Sequence, residues 1–173
     1  MGRKDNLKFD YRQLISINIY NFVPEIFHTM ETSENKQFNL DRRYLRMARI
    51  WAENSYCQRR QVGALVVKDK MIISDGYNGT PSGFENICED ENDATKPYVL
   101  HAEANAITKI ACSNNNSRGA TLYVTASPCI ECAKLIIQAG IKRVVYSQQY
   151  RLDDGVKLLE KANIEMVYVE TID

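Results

Sequence analysis

The sequence predicts an α/β fold of three layers, α-β-α, built on a mixed five-stranded sheet. Three observations carry that prediction. In "QVGALVVKDKMIISDGY" two β-rich runs are joined by a Lys-Asp-Lys short enough for an antiparallel hairpin. Beyond Tyr98, helical and strand patterns alternate to the end of the chain. At 173 residues there is material for one compact domain with a proper core and too little for two.

Residues 1–39 read as an extension that packs on the domain or on a neighbouring subunit. Its segment "QLISINIYNFVPEIF" is apolar enough to dock, Pro24 is expected to break it, and "ETSENKQFN" is polar. The main domain, which carries the motifs below, is expected over 40–173. Its first helix follows a possible Asn39 cap and sets Leu40, Tyr44, Met47, Ala48 and Trp51 along one face. The hairpin comes next, then a loop opened by "GYNGTPSG" and running to about Tyr98.

The helix "HAEANAITKIA" leads through "SNNNSRG" to the strand "ATLYVTA". The helix "CIECAKLIIQAG", the strand "KRVVYS", the helix "DGVKLLEKAN" and the strand "IEMVYV" complete the chain. Gly140 and Asn163 fall where helix C-termini should stop. Strands separated by helices imply parallel pairing with crossover connections, placed beside the antiparallel hairpin.

Bulk composition excludes some functions. The 22 basic residues balance 22 acidic ones, so no global field attracts nucleic acid or an anionic membrane, and neither partner is expected. No apolar run approaches the roughly 18 residues of a spanning helix, and "MGRKDNLKFD" lacks the apolar stretch of a signal peptide. The expected location is the cytoplasm, that of the host if the source is viral. Five cysteines in such a chain suggest reduced thiols or metal ligands rather than a disulfide framework.

The chemistry concentrates in "VLHAEANAI" and "SPCIECAKL". A catalytic zinc site commonly has three protein ligands and an open position, with imidazole nitrogen and thiolate sulfur as favoured donors. His101, Cys129 and Cys132 supply that set. Cysteines three apart at a helix start share a face, and the helix N-terminus favours the thiolate. Ser127 as cap and Pro128 as first helical residue would mark that start.

Two thiolates cancel the charge of the dication, so another group must manage protons. Glu103, two residues past His101, is the candidate. A redox Cys-x-x-Cys or a chance arrangement predicts neither the histidine, the glutamate nor the proline in these places. Cys57, Cys88 and Cys112 read as bystander thiols; the alternative is a second zinc on Cys57, Cys88 and His28.

His-x-Glu followed by Pro-Cys-x-x-Cys is the known signature of zinc nucleobase deaminases. With "VGALVV", "GYNGTPSG" and "SPCIECAKLIIQAGIKRVVY" in order, residues 40 to about 170 resemble the deoxycytidylate (dCMP) deaminases of the cytidine deaminase superfamily. The resemblance implies that His101, Cys129 and Cys132 hold zinc, that Glu103 shuttles protons, and that dCMP is hydrolysed to dUMP and ammonia. It also implies that Asn78 bonds the deoxyribose, against the alternative of a plain turn.

Arg59 and Arg60 precede the first strand, and a guanidinium fork suits a 5′-phosphate, although paired arginines also occur on solvated faces. Tyr150, after "RVVYS", would wall the nucleotide pocket or be an ordinary loop residue. Family members are often homohexamers regulated by dCTP and dTTP with Mg2+ through the "GYNG" region, here Tyr77, Asn78 and Gly79. Some regulated phage members have an aromatic and an arginine where this chain has Lys109 and Cys112. The rivals are the same chemistry on dCTP, free cytidine or a base in nucleic acid, and a zinc-binding interaction protein without activity.

Overall fold

The computed structural model describes residues 19–150 and 152–170, with side chains from 33 on. They fall into two units, one up to Asn39 and one from Leu40. The docking expected of the extension, and the side chain of His28, lie outside the described residues.

The elements are α1 (Ile19–Ala52), β1 (Gly63–Lys68), β2 (Met71–Tyr77), α2 (Ala102–Ala111), β3 (Thr121–Val124), α3 (Ile130–Gln138), β4 (Arg143–Tyr146), α4 (Asp154–Lys161) and β5 (Glu165–Tyr168). The sheet runs β2-β1-β3-β4-β5. β1 is antiparallel to β2 and β3, while β3, β4 and β5 are parallel. The mixed five-stranded sheet expected from the sequence is present. The hairpin turns at Asp69 and Lys70, both at positive φ (51° and 63°), as the twist of a two-residue hairpin demands. Gly140 (φ 70°) and Asn163 (φ 57°) take left-handed conformations that end α3 and α4.

Alternation along the central strands feeds both faces of the sheet. Ala64, Val66, Leu122, Val124 and Val144 join Ala102, Ala106 and Ile110 of α2, Ala133 and Ile136 of α3, and Leu159 of α4 in one core. Leu65, Val67, Tyr123 and Val145 join Leu45 and Ala48 of α1 in a second. Helices therefore cover both faces. On the α1 side, Arg143 donates from both terminal nitrogens to the buried Asp41 carboxylate at 2.9 and 2.8 Å, and Tyr123 Oη donates to the same carboxylate at 2.8 Å.

Three local expectations are corrected. α1 runs through both Pro24 and Asn39. Pro24 is the sixth residue of α1, where it forfeits one ladder bond near an end already short of partners. An interior asparagine costs roughly 0.7 kcal/mol or less, too little to stop a helix held by tertiary packing. The buried face of α1 carries Asp41, Leu45, Ala48 and Ala52, while Met47 and Trp51 are exposed. Trp51 Nε1 instead donates to Asp75 of β2 at 2.7 Å.

The third correction concerns thiols. Cys57 and Cys88 form a disulfide with Cα atoms 5.1 Å apart, which removes them as ligands of a second zinc. They meet because the loop after β2 folds back: Asn78 N donates to Val62 O at 3.1 Å, and Gly79 pairs with Leu100. No helix among the described residues is long and apolar enough to cross a membrane.

Candidate metal centre and cleft

Two helix N-termini converge at one end of the sheet. His101 is the N-cap of α2 and Cys129 the N-cap of α3, both with extended backbone, and Cys132 lies in the first turn of α3. Ser127 and Pro128 therefore stand before the helix rather than capping it. The Ser127 hydroxyl instead accepts the Tyr150 N–H at 2.7 Å.

Both helices are set by backbone contact. A Cβ at Gly76 of β2 would meet Ala106 N of α2 at 2.6 Å, so β2 and α2 touch with nothing between them. A Cβ at Gly155 of α4 would lie 2.7 Å from the carbonyl carbon of Cys129. That glycine, which belongs to no motif, lets α4 press on the peptide of Cys129.

His101 Nδ1 lies 3.4 Å from both Cys129 Sγ and Cys132 Sγ, and the three ligand atoms fall within 4.8 Å of one another. The donor set is that of a tetrahedral zinc site with one position free. The thiols are already differentiated. A hydrogen bond from Cys132, supported by His101 and the helix N-terminus, draws the Cys129 thiol down to about 3. The same bond and burial push Cys132 well up. His101 is raised, chiefly by its bond to Cys129.

Glu103 is 4 % exposed, beside this triad on α2. Burial raises its carboxyl above the ordinary range, against the opposing pull of His101. A buried carboxyl with a raised pKa next to a metal triad has the properties of a proton carrier.

These groups open onto a cleft of about 340 Å³, within the range of small-molecule sites. Its walls include His101, Glu103 and Cys129 together with Arg59, Arg60, Asn78 and Tyr150. Arg60 Nη2 donates to Gln148 Oε1 at 2.8 Å, and its guanidinium carbon lies 5.8 Å from the Tyr150 ring centroid. Arg59 is exposed, with Nη1 3.5 Å from Thr95 Oγ1.

Asn78 has both polar atoms engaged, its oxygen accepting from Val62 N at 2.7 Å and its nitrogen donating to Arg60 O at 2.9 Å. Tyr77 and Gly79 are half-buried and do not line the cleft; Tyr77 O accepts from Asn105 Nδ2 at 2.9 Å. Sequence reasoning also passed over Glu89, Thr95 and Gln148, which no motif marks.

Residues 38–148 match the family described as cytidine and deoxycytidylate deaminase zinc-binding region. The deoxycytidylate deaminase of Saccharomyces cerevisiae is 37% identical over 134 residues, covering 72% of this chain and 43% of the yeast protein. That of Mycobacterium phage D29 is 38% identical over 123 residues, covering 63% of this chain and 94% of the phage protein. The chain thus spans less than half of the yeast relative and nearly all of the phage one. A crystal structure of dCMP deaminase from the cyanophage S-TIM5, in complex with dCMP and dUMP, is similar at a TM-score of 0.72 and 45% identity, over 73% of this chain and 93% of that one.

Proposed function

The chain belongs to the cytidine and deoxycytidylate deaminase family, and from that premise we propose that it hydrolyses dCMP to dUMP and ammonia. One observation carries the choice of substrate class: two arginines share the cleft with His101, Cys129 and the buried Glu103, and Cys132 completes the triad behind them. The likeness to a dCMP deaminase seen with dCMP and dUMP supports it.

His101, Cys129 and Cys132 would hold zinc, which would supply the Lewis acidity that makes water nucleophilic towards C4 of the cytosine. Glu103 takes one proton from that water and delivers it to ring N3 as the C4–O bond forms, then takes the second from the new C4 hydroxyl and gives it to the exocyclic amine, so that ammonia leaves as the C4–N bond breaks and C4 becomes a carbonyl. Burial raises its pKa above that of an ordinary carboxylate, which suits the carboxyl to hold a proton briefly and return it. Arg59 and Arg60 hold the 5′-phosphate, Tyr150 walls the nucleotide, and the remaining hydrogen-bonding capacity of Asn78 serves the sugar.

The test is ammonia release from dCMP, dCTP, cytidine and deoxycytidine by the zinc-loaded protein. dCMP should be the preferred substrate, and Glu103→Gln should abolish turnover while retaining zinc. Arg59→Ala or Arg60→Ala should raise KM for dCMP and leave deoxycytidine alone. Activity untouched by Glu103→Gln removes the proton-carrier role of Glu103, and no activity with wild type leaves the zinc-binding interaction protein as the reading.

The same reading extends to a homo-oligomer, a hexamer by family likeness, in the cytoplasm, with the 1–39 extension docked on the domain or a neighbouring subunit. Effectors dCTP and dTTP with Mg2+ would act through Tyr77, Asn78 and Gly79. Velocity curves with each effector, alongside sedimentation, test both. A hyperbolic curve unmoved by either nucleotide ends the regulatory part.

A further inference from the structure

The segment that carries both arginines has no regular structure of its own. Gln58, Arg59 and Arg60 lie between the end of α1 and the start of β1. They are held by two side chains that approach from separate parts of the loop after β2. The Asn78 amide takes Arg60 O and Val62 N. The Glu89 Oε1 atom accepts the consecutive backbone N–H groups of Gln58, at 3.1 Å, and Arg59, at 3.3 Å.

Glu89 itself is anchored. Its neighbour Cys88 is fully buried and bonded to Cys57, the residue before Gln58, so the disulfide joins the two segments one position away from the carboxylate contact. On its other side, Glu89 pairs with Thr95 across a turn in which Asp90 Oδ1 accepts from Asn92 N at 2.8 Å and Ala94 N at 3.0 Å. Thr95 is also the residue that Arg59 Nη1 reaches. A half-buried carboxylate on the wall of an anion-binding cleft is unfavourable by simple charge. Its two charge-assisted bonds to the arginine segment supply the compensating reason for its presence.

We propose that Glu89 is a positioning residue for phosphate recognition: by accepting the Gln58 and Arg59 N–H groups it fixes the arginine pair in the cleft, and so sets the affinity for phosphorylated substrate without touching the deamination chemistry. This rests on the phosphate role assigned above to Arg59 and Arg60.

The experiment is steady-state kinetics of the zinc-loaded full chain on dCMP and deoxycytidine, for wild type, Glu89→Ala, Glu89→Gln, Glu89→Asp and the double variant Arg59→Ala/Arg60→Ala. Loss of both bonds in Glu89→Ala should raise KM for dCMP about tenfold, with kcat and deoxycytidine kinetics unchanged. Glu89→Gln keeps an acceptor of the same reach and should restore most of the loss. Glu89→Asp keeps the charge but falls short, and should behave like Glu89→Ala, which preserves the test if the alanine variant does not fold. Equal effects on both substrates would make Glu89 merely structural and overturn the proposal. A lower KM for dCMP in Glu89→Ala and Glu89→Gln would overturn it too, since the carboxylate would then be competing with the phosphate. If the double arginine variant binds dCMP as wild type does, the phosphate reading itself fails; if that variant is impaired and the Glu89 variants are not, only the role of Glu89 falls.

Discussion

Gly155→Ala is the sharpest probe of how the fold sets the metal centre. The added methyl would stand 2.7 Å from the Cys129 carbonyl carbon and 2.8 Å from its oxygen, with the Pro128 carbonyl oxygen nearer still. Ordinary contact begins near 3.5 Å, so at least about 0.7 Å of separation must open between α4 and the Cys129 carbonyl, and more at the Pro128 oxygen. Overpacking of that kind costs about 1–3 kcal/mol. Neither side is a flexible side-chain tip: one is the first turn of α4 and the other is backbone.

Zinc–ligand distances tolerate only about 0.2 Å, so a shift several times larger at Cys129 falls on metal affinity as well as on stability. Gly155 is in a helix, where alanine is intrinsically favoured by about 1 kcal/mol, so stability alone understates the clash. Competition with a chromogenic chelator should show zinc held at least tenfold more weakly, and thermal melts of the metal-free protein should show a smaller loss. Unchanged zinc affinity would refute the claim that contact at Gly155 positions the Cys129 ligand.

Three further outcomes follow from the same geometry. Asp41→Ala leaves Arg143 and Tyr123 Oη without their shared buried acceptor, and should lower stability by about 3 kcal/mol in denaturant titrations while leaving zinc content unchanged. Unfolded without reductant, the chain should show three reactive thiols, Cys112, Cys129 and Cys132, rising to five after reduction; five from the start would remove the Cys57–Cys88 bond. Before zinc binds, Cys129 is ionised above about pH 3, whereas Cys132 keeps its proton and His101 holds its own to higher pH than usual. Zinc must displace these protons, so its affinity should fall as pH is lowered through neutrality. Calorimetry in buffers of different ionisation heat should show the Cys132 proton released together with the fraction still on His101.

The chemistry was readable because it is local. His101 and Glu103 sit within three residues, Cys129 and Cys132 within four, and each pair opens a helix. Spacing along the chain is then nearly spacing in the site. The succession of strands and helices along the chain was readable for a similar reason, since alternating apolar runs and turn residues such as Gly140 and Asn163 act within a few positions. What escaped was decided between distant segments. Cys57 and Cys88 are 31 residues apart, across a loop without periodicity that could have placed them together. Glu89 has no motif around it, and Gly155 matters through a contact with Cys129 rather than through its own conformation. On α1 the apolar residues Met47 and Trp51 competed with Leu45 and Ala48 for the buried face, and small alanines at the close approach to β1 decided it; a Cβ at Gly63 would meet Ala52 N at 2.8 Å.

This division between local and assembled parts has a consequence for how the two ends of the cleft fail. At the metal end the ligands ride on the first turns of α2 and α3, whose Ala102, Ala106, Ala133 and Ile136 are built into the larger core. Movement there is opposed by packing, and a change shows in metal content and kcat. At the arginine end the segment 58–60 depends on side chains from the loops around residues 78, 89 and 148, through hydrogen bonds that are at best half-buried. Each such bond contributes about 1 kcal/mol net, so single losses shift binding several-fold without unfolding the domain. A set of alanine variants over Arg60, Gln148 and Thr95 should therefore separate from one over Ile110 and Ile136, the first raising KM for dCMP at constant melting temperature and the second lowering both kcat and stability. Melting temperatures that fall equally in the two sets would show that the arginine end is part of the cooperative core after all.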